Sequence, residues 1–477
     1  MRRALSFAVA SQYYTQAVQL ASVMVVWRLL TPAEIGVYSV ASVVLMAMTY
    51  VRTFGVAQYI IQAPELTPDT LKTGLAAVII MSWGSAGLLA LAAPWLAQYY
   101  GEPGLANIFY VVAASFLLTP YISVPYSCLS RELAFDKTMW VRCVSATTQA
   151  AVTITCVFLG MSYMSMALGL AVGAISELIV ATIVRPDYCP YIPRFKGISR
   201  VFRFGSMAAF ASLLQRFGEG VPDLVLGRVA TMTDVGYYSR GAGVVLIFNQ
   251  AVTLAVRPVV LPHLSKGFRE GEPVPPMYLR AVELQTGLAW PFYAGLSAAM
   301  LPTVRLLYGD QWDIAVPIAE ILCIWGALMS VYCYYGDVLV AVGRVRAHLL
   351  TELLMVTIRV GAVIYVATEG LETVASAVVG VAATELIVTT LMLRRAVDLR
   401  PLQLVRACWK SAAVGGVVLV VTHAMAPAIA TFDFMFLQFV AFAGTAMLGW
   451  AGALILTRHP LLAEALRLLR SKGLIAS

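Results

Sequence analysis

The chain has 477 residues, 60% of them hydrophobic and only 12% charged, and a formal net charge of +8. Soluble globular chains carry about 25% charged residues, so this composition excludes an ordinary water-soluble fold and points to a bilayer. The seven cysteines show no CxxC spacing and the four histidines no shared spacing, which excludes a disulfide framework and a metal or acid-base cluster read from motif.

A bilayer core about 30 Å thick takes roughly 20 apolar residues per helix. On that measure fourteen spans are predicted, near 8–27, 36–54, 74–97, 104–127, 139–160, 165–184, 204–226, 234–256, 281–301, 314–336, 348–367, 373–393, 411–430 and 435–456. The first follows Met1-Arg2-Arg3 but runs to full spanning length, so it reads as a retained helix rather than a cleaved signal. Between the sixth and seventh spans, Pro186, Pro190 and Pro193 extend a basic connection over 185–203, a strap or an ordinary cytoplasmic loop. After the last span, Leu461 to Arg470 is amphipathic and basic, as suits a helix on the inner membrane surface.

With both termini in the cytoplasm, 27 of the 33 Lys and Arg fall on the cytoplasmic side and three, Arg28, Arg228 and Arg305, on the other. That asymmetry is the positive-inside signature, and one missed or invented span in the middle would destroy it. The net charge therefore reads as topology; the basic residues are dispersed over many short segments, which argues against nucleic-acid binding.

The chain also resembles itself. Residues 28–39, RLLTPAEIGVYS, align with 228–239, RVATMTDVGYYS, and 176–182, SELIVAT, with 384–390, TELIVTT. These matches pair spans 1 and 2 with 7 and 8, and span 6 with 12, which predicts an internal duplication with both halves in the same orientation. The expected fold is an all-α integral membrane protein of about fourteen helices. Two six-helix lobes, 1–184 and 204–393, would be related by a pseudo-two-fold axis along the membrane normal and joined by 185–203, with spans 13 and 14 and the tail in 394–477.

Ionisable groups in a spanning helix cost roughly 2.5 to 3.5 kcal/mol each on insertion scales, so those present face a cavity or a partner. Arg216, Glu219 and Asp223 recur at i, i+3 and i+7 on span 7, and Gln12, Gln16 and Gln19 form the corresponding stripe on span 1. Arg240 and Asn249 on span 8, and Glu352 with Arg359 on span 11, extend the set. Lining of a substrate cleft and plain interhelical hydrogen bonding are both open for these residues. Glu177 and Glu385, paired by the duplication, read as packing groups or as proton or cation sites.

The stretches RLLTPAEIGVYSVA at 28–41, FGVAQYIIQ at 54–62, LSRELAF at 129–135, VGYYSRGAG at 235–243 and LLYGDQWDIAVPI at 306–318 resemble the Wzx-type polysaccharide flippases. That family lies within the multidrug, oligosaccharidyl-lipid and polysaccharide exporter superfamily, and the resemblance runs in order over nearly the whole chain. It implies a two-lobed transporter in the bacterial inner membrane, not an enzyme, that carries polyprenyl-pyrophosphate-linked oligosaccharides from the cytoplasmic to the periplasmic leaflet for O-antigen, capsule or exopolysaccharide synthesis. Membrane lipids and the polysaccharide polymerase machinery are the partners it implies.

The superfamily's drug and cation antiporters commonly carry an acidic residue on the first helix, where this chain has glutamines. The substrate-binding set expected here is Arg28, Arg52, Arg216, Arg240 and Arg359 with Gln12, Gln16, Gln19 and Asn249. No cofactor is expected; Na+ or H+ coupling through Glu219, Asp223, Glu352 or Glu385 is left open. A cation-coupled small-molecule antiporter and a membrane glycan-processing enzyme are the alternative readings, the second disfavoured by short loops on the outer side.

Overall fold

A computed structural model describes residues 2–52, 60, 67–132, 134–185, 192–195, 198 and 206–471. Most of the 54–62 motif, most of the Pro-rich connection with Cys189, and the last six residues lie outside the described set. Within that set the chain is helical. Its helices are α1 (Arg2–Leu29), α2 (Pro32–Arg52), α3 (Pro68–Tyr100), α4 (Gly104–Phe116), α5 (Thr119–Arg131), α6 (Phe135–Phe158), α7 (Met164–Val184), α8 (Ser206–Glu219), α9 (Val221–Val229) and α10 (Met232–Phe248). After a π-helical turn at Asn249–Thr253 come α11 (Leu254–Arg269), α12 (Val274–Ala298), α13 (Met300–Tyr308), α14 (Ala315–Tyr332), α15 (Tyr335–Ala341), α16 (Val345–Val366), α17 (Leu371–Val397), α18 (Pro401–Ile429), α19 (Met435–Leu456) and α20 (Pro460–Ser471).

Each of the fourteen sequence runs falls on one helix or on one interrupted pair. Among the described residues nine helices are long and apolar enough to cross a bilayer, and α4 with α5, bent by 50°, makes a tenth. The runs outside that set are the first, seventh, eighth and ninth. The seventh and eighth are divided by breaks into helices of 14, 9 and 17 residues, too short to span by themselves.

Two compact units divide the chain, Met1–Gly236 and Tyr237–Ser477. In the first, α1 packs on α6, α6 on α7, α3 on α4, and both α8 and α9 on α2. The seventh run is broken: α8 stops at Glu219, and α9 restarts behind Gly220 with Pro222 in its first turn. In the second unit α12 packs on α14 and α18, α14 on α17, and α18 on α19. The outer surfaces of α18 and α19 expose Val420, Leu448 and Leu456, apolar faces suited to lipid.

The repeat seen in the sequence has a physical basis at the start of α2 and α10. The Thr31 N–H and hydroxyl donate to Glu34 Oε2 at 2.7 and 2.8 Å, and the Thr231 N–H and hydroxyl donate to Asp234 Oδ2 at 3.0 and 2.6 Å. In return the Glu34 and Asp234 N–H groups donate to the threonine hydroxyls at 3.4 and 3.2 Å. Both helices thus begin with the same capping box. Five residues after each threonine, Gly36 lies against the Met232 carbonyl and Gly236 against the Pro32 carbonyl, so a Cβ at either glycine would overlap backbone. Two equivalent segments exchanging equivalent contacts is what a local two-fold relation produces.

The C-terminal helix is fastened by His459, which is 1% exposed. Its Nδ1 accepts from the Leu461 N–H at 3.1 Å, capping α20, so Nε2 carries the proton and donates to Ser411 Oγ at 3.1 Å. Arg280 on α12 adds an ion pair to Glu464 at 2.8 Å.

Two predictions follow from these contacts. Gly36→Ala and Gly236→Ala should each cost about 1–3 kcal/mol by overpacking. Gly84→Ala and Gly87→Ala, where a Cβ meets nothing within 4 Å, should leave the thermal midpoint of the purified protein unchanged or slightly raised. Burial, with Lys410 and Arg280 nearby, pushes the His459 imidazole down from 6.5 to about 4. The neutral ring's contribution is therefore complete above about pH 6.5 and lost as pH falls toward 4, because the unfolded chain takes the proton first. Protease sensitivity at α20 should rise over that window in the native protein, and His459→Gln should remove the pH dependence.

Candidate functional site

In the first unit, polar side chains gather where α1, α2, α5, α6 and α7 carry them into the bundle. Gln12 and Gln19 on α1 are exposed and Gln16 half-buried, with Tyr13 and Tyr14 exposed beside them. Gln12 Oε1 accepts from Arg142 Nη1 at 3.4 Å, and the Tyr14 and Thr147 hydroxyls are hydrogen-bonded at 2.9 Å. Arg142 is exposed, stands seven residues into α6, about 10 Å along its axis, and its guanidinium lies 5.6 Å from the Tyr126 ring centre. At membrane depth an exposed guanidinium faces water or headgroups, never hydrocarbon alone.

Arg52, in the last turn of α2, donates from Nη1 to Thr119 Oγ1 at 2.7 Å and sits 4.3 Å from the Phe116 ring centre. Its Nε is buried with no hydrogen-bond partner among the described residues. Glu177 on α7 lies within electrostatic reach of both Arg52 and Arg142. One carboxylate set against two guanidiniums leaves a net positive charge, the arrangement that receives an anion.

Arg216 and Glu219 form an ion pair at 3.2 Å on the last turn of α8, and Arg216 also bonds Tyr50. Asp223 belongs to the first turn of α9. The three residues expected on one continuous helical face are therefore carried by two helices. Arg28 stands exposed in the last turn of α1.

The second unit holds its charges differently. Arg240 on α10 contacts the Ser239 hydroxyl from Nε at 3.4 Å and Nη2 at 3.3 Å. Asn249, buried, opens the π-helical turn, whose last residue Thr253 accepts from Gln285 Nε2 at 2.6 Å; Tyr334 in turn donates to Gln285 Oε1 at 3.0 Å. Arg359 on α16 and Glu385 on α17, 7% and 3% exposed, pair at 2.9 Å, and the Tyr332 hydroxyl donates to the same carboxylate oxygen at 3.3 Å. Asp337 on α15 accepts from Arg257 Nε through both oxygens, at 3.2 and 3.0 Å. Glu352 on α16 accepts from the Tyr335 hydroxyl and lies beside His348.

The structure thus brings Gln12 and Arg52 into one neighbourhood through Arg142 and Glu177, and joins Arg359 to Glu385. Sequence reasoning assigned Arg142 and Arg257 to the cytoplasmic charge. Arg142 could have been found from its place inside the fifth run; Arg257 is marked only by Asp337, eighty residues away in the chain. Among the described residues no group of three or more His, Cys, Asp or Glu is placed to hold a metal ion.

The sequence profile of a polysaccharide biosynthesis protein family matches residues 25–317. The succinoglycan biosynthesis transport protein ExoT of Rhizobium meliloti is 25% identical over 375 residues, covering 77% of this chain and 74% of its own. The lipopolysaccharide biosynthesis protein WzxC of Escherichia coli is 22% identical over 339 residues, 68% of this chain and 67% of its own. Among solved structures, the lipid II flippase MurJ in an inward closed conformation superposes with a TM-score of 0.75 at 13% identity, over 95% of this chain and 99% of its own. An inward-facing multidrug resistance transporter of the MATE family superposes with a TM-score of 0.65 at 14% identity, over 80% and 94%. At those identities the likeness is one of fold: all-α, multi-helix membrane transporters.

The buried Arg359–Glu385 pair has a measurable consequence for stability. Arg359→Leu, which strands Glu385, should lower stability by about 3–5 kcal/mol, whereas Arg359→Leu with Glu385→Leu should restore most of it; thermal unfolding in detergent measures both.

Proposed function

The chain belongs to the polysaccharide biosynthesis protein family, and on that premise we propose that it is a flippase. It carries polyprenyl-pyrophosphate-linked oligosaccharide units from the cytoplasmic to the periplasmic leaflet of a bacterial inner membrane, by alternating access of its two repeats. The observation that carries the reading is the cationic cluster of the first unit. Arg142 is exposed, Arg52 has a buried Nε with a hydrogen to give, and Glu177 balances one of the two charges. A pyrophosphate offers several acceptor oxygens and about two negative charges, and charge-assisted bonds from planar guanidiniums match that geometry.

The exposed amides and phenols of α1, Gln12, Gln19, Tyr13 and Tyr14, suit the other end of the substrate. Sugars are bound by hydrogen bonds to hydroxyls and by stacking on aromatic faces, and an exposed polar strip beside the anion site offers both. Arg28 and Arg216 belong to the same unit as the cluster, and the lipid tail stays in the bilayer. With both termini in the cytoplasm, Arg52 at the end of α2 and Arg142 near the start of α6 lie toward the inner leaflet, where the substrate would be loaded.

No covalent step is required. Moving one elementary charge through the membrane field is worth about 2.3 kcal/mol per 100 mV, so a group of charge about −2 gains about 4.6 kcal/mol on leaving a negative interior. The field alone favours export, and the polymerase machinery on the outer face would consume the product. Coupling to Na+ or H+ would add to that drive.

The test is reconstitution in liposomes with an undecaprenyl-pyrophosphate-linked oligosaccharide whose leaflet is read by an impermeant reagent. Arg52→Gln and Arg142→Gln should each lower the rate tenfold or more, consistent with about 1.5–3 kcal/mol for a charged hydrogen bond. Normal rates in both variants would remove the cluster from the mechanism, and efflux of a small organic cation with no movement of the lipid would replace the flippase by an antiporter.

A further inference from the structure

In the second unit α18 and α19 pack on each other, and the first turns of α18 meet the end of α19. There Lys410 donates from Nζ to the Arg458 carbonyl at 3.1 Å, and the residues that follow them, Ser411 and His459, are hydrogen-bonded at 3.1 Å. Lys410 thus shares a wall with the histidine that fastens α20. Arg406 lies one helical turn before Lys410, on the same face of α18. Arg406 and Arg458 are exposed and Lys410 is half-buried. Among the described residues none of the three cations forms an ion pair.

Arg458 has an unusual backbone for its side chain. Its φ is 48°, in the left-handed region, where its N–H bonds the Ile455 carbonyl at 3.2 Å and the His459 N–H bonds the Leu454 carbonyl at 3.1 Å. Glycine is the residue this helix-ending turn favours, because a Cβ crowds the backbone there. The negative end of the α19 dipole favours a cation, but Lys410 already meets that need through the Arg458 carbonyl. An exposed arginine kept against the backbone preference is an outlier of the kind that accompanies a binding role.

Beside the cations the surface is apolar. Val405 and Trp409 on α18, and Ile455 and Leu456 on α19, are all exposed, and the Trp409 ring centre lies 6.0 Å from Lys410 Nζ. We propose that Arg406, Lys410 and Arg458 hold the phosphate of an anionic phospholipid whose acyl chains lie on Trp409, Ile455 and Leu456. Lys410 keeps two ammonium hydrogens after bonding the carbonyl, and each guanidinium offers five. Their charge selects an anionic lipid over phosphatidylcholine, whose choline ammonium would be repelled. The sequence charge places all three residues on the cytoplasmic side, so the lipid belongs to the inner leaflet, where basic segments beside a span are drawn to anionic headgroups. The inference goes beyond the transport reading and does not depend on it.

The test uses the full chain in vesicles of phosphatidylcholine and phosphatidylglycerol, with one lipid or the other carrying brominated acyl chains that quench nearby tryptophans. The Trp409 emission is the difference between the native protein and Trp409→Phe. Its quenching should report an affinity for phosphatidylglycerol about fivefold or more above that for phosphatidylcholine. Arg458→Gly suits the turn while removing its cation, and it should bring that ratio close to one, as should Lys410→Gln. Arg346→Gln, which removes an exposed arginine from the start of α16, should leave the ratio unchanged. Three results would overturn the proposal: a native ratio of about one, which would leave the patch to an acidic protein surface; a native ratio that survives Arg458→Gly; or an equal loss in Arg346→Gln, which would mean general surface charge only. Trp409 emission that neither brominated lipid quenches would also overturn it. Should Lys410→Gln not fold, Arg458→Gly decides the matter alone.

Discussion

An ionised side chain inside a bilayer must be matched by an opposite charge or must face water, and every polar feature of this protein answers to that rule. The rule sorts its charges into two populations. Arg359 and Glu385 are buried against each other, with Tyr332 donating to the same carboxylate oxygen, and such a pair is worth more as a specification of how α16 meets α17 than as net stability. Arg142 and Gln12 are exposed, a placement that suits contact with water, lipid headgroups or a polar substrate. A guanidinium is thus sealed in an ion pair in one unit and exposed in the other, and its neighbours decide which.

Much of the fold could be read from the residues because it depends on local composition. Span length follows from apolar run length, and the fourteen runs land on helices or interrupted pairs since only a helix lets a single segment satisfy its own backbone in hydrocarbon. The repeat was legible at Thr31, Glu34 and Gly36 because capping and close backbone approach each demand particular residues at fixed offsets, and Thr231, Asp234 and Gly236 meet the same demands. The seventh and eighth runs do not form one continuous helix each, because the chain breaks at Gly220 and at the π-helical turn.

The rest required tertiary contacts. Partnership between Arg257 and Asp337, or between Arg359 and Glu385, is set by helices that meet in space, and no local pattern announces it. Arg142 was hidden by its nearness to a predicted boundary, where an arginine looks like an interfacial anchor. The breaks at Gly220 and at the π-helical turn of Asn249–Thr253 were also missed. Glycine, proline and asparagine occur within spans for several reasons, and only the packing of Gly220 against Val43 identifies the first as a site of close approach. Function was legible at the level of motif, whereas the partners of individual polar residues were not.

The central claim is that the cargo crosses as an anion bound to guanidiniums, so its distribution must respond to the membrane field. The direct measurement is the steady-state ratio of an undecaprenyl-pyrophosphate-linked oligosaccharide between the two leaflets of proteoliposomes, at zero potential and at about −60 mV on the cytoplasmic-equivalent side. A charge of about −2 moving outward through that field predicts a rise in the ratio of tenfold or more. A ratio indifferent to potential would mean that the pyrophosphate does not cross as a charged group, and the account would be wrong.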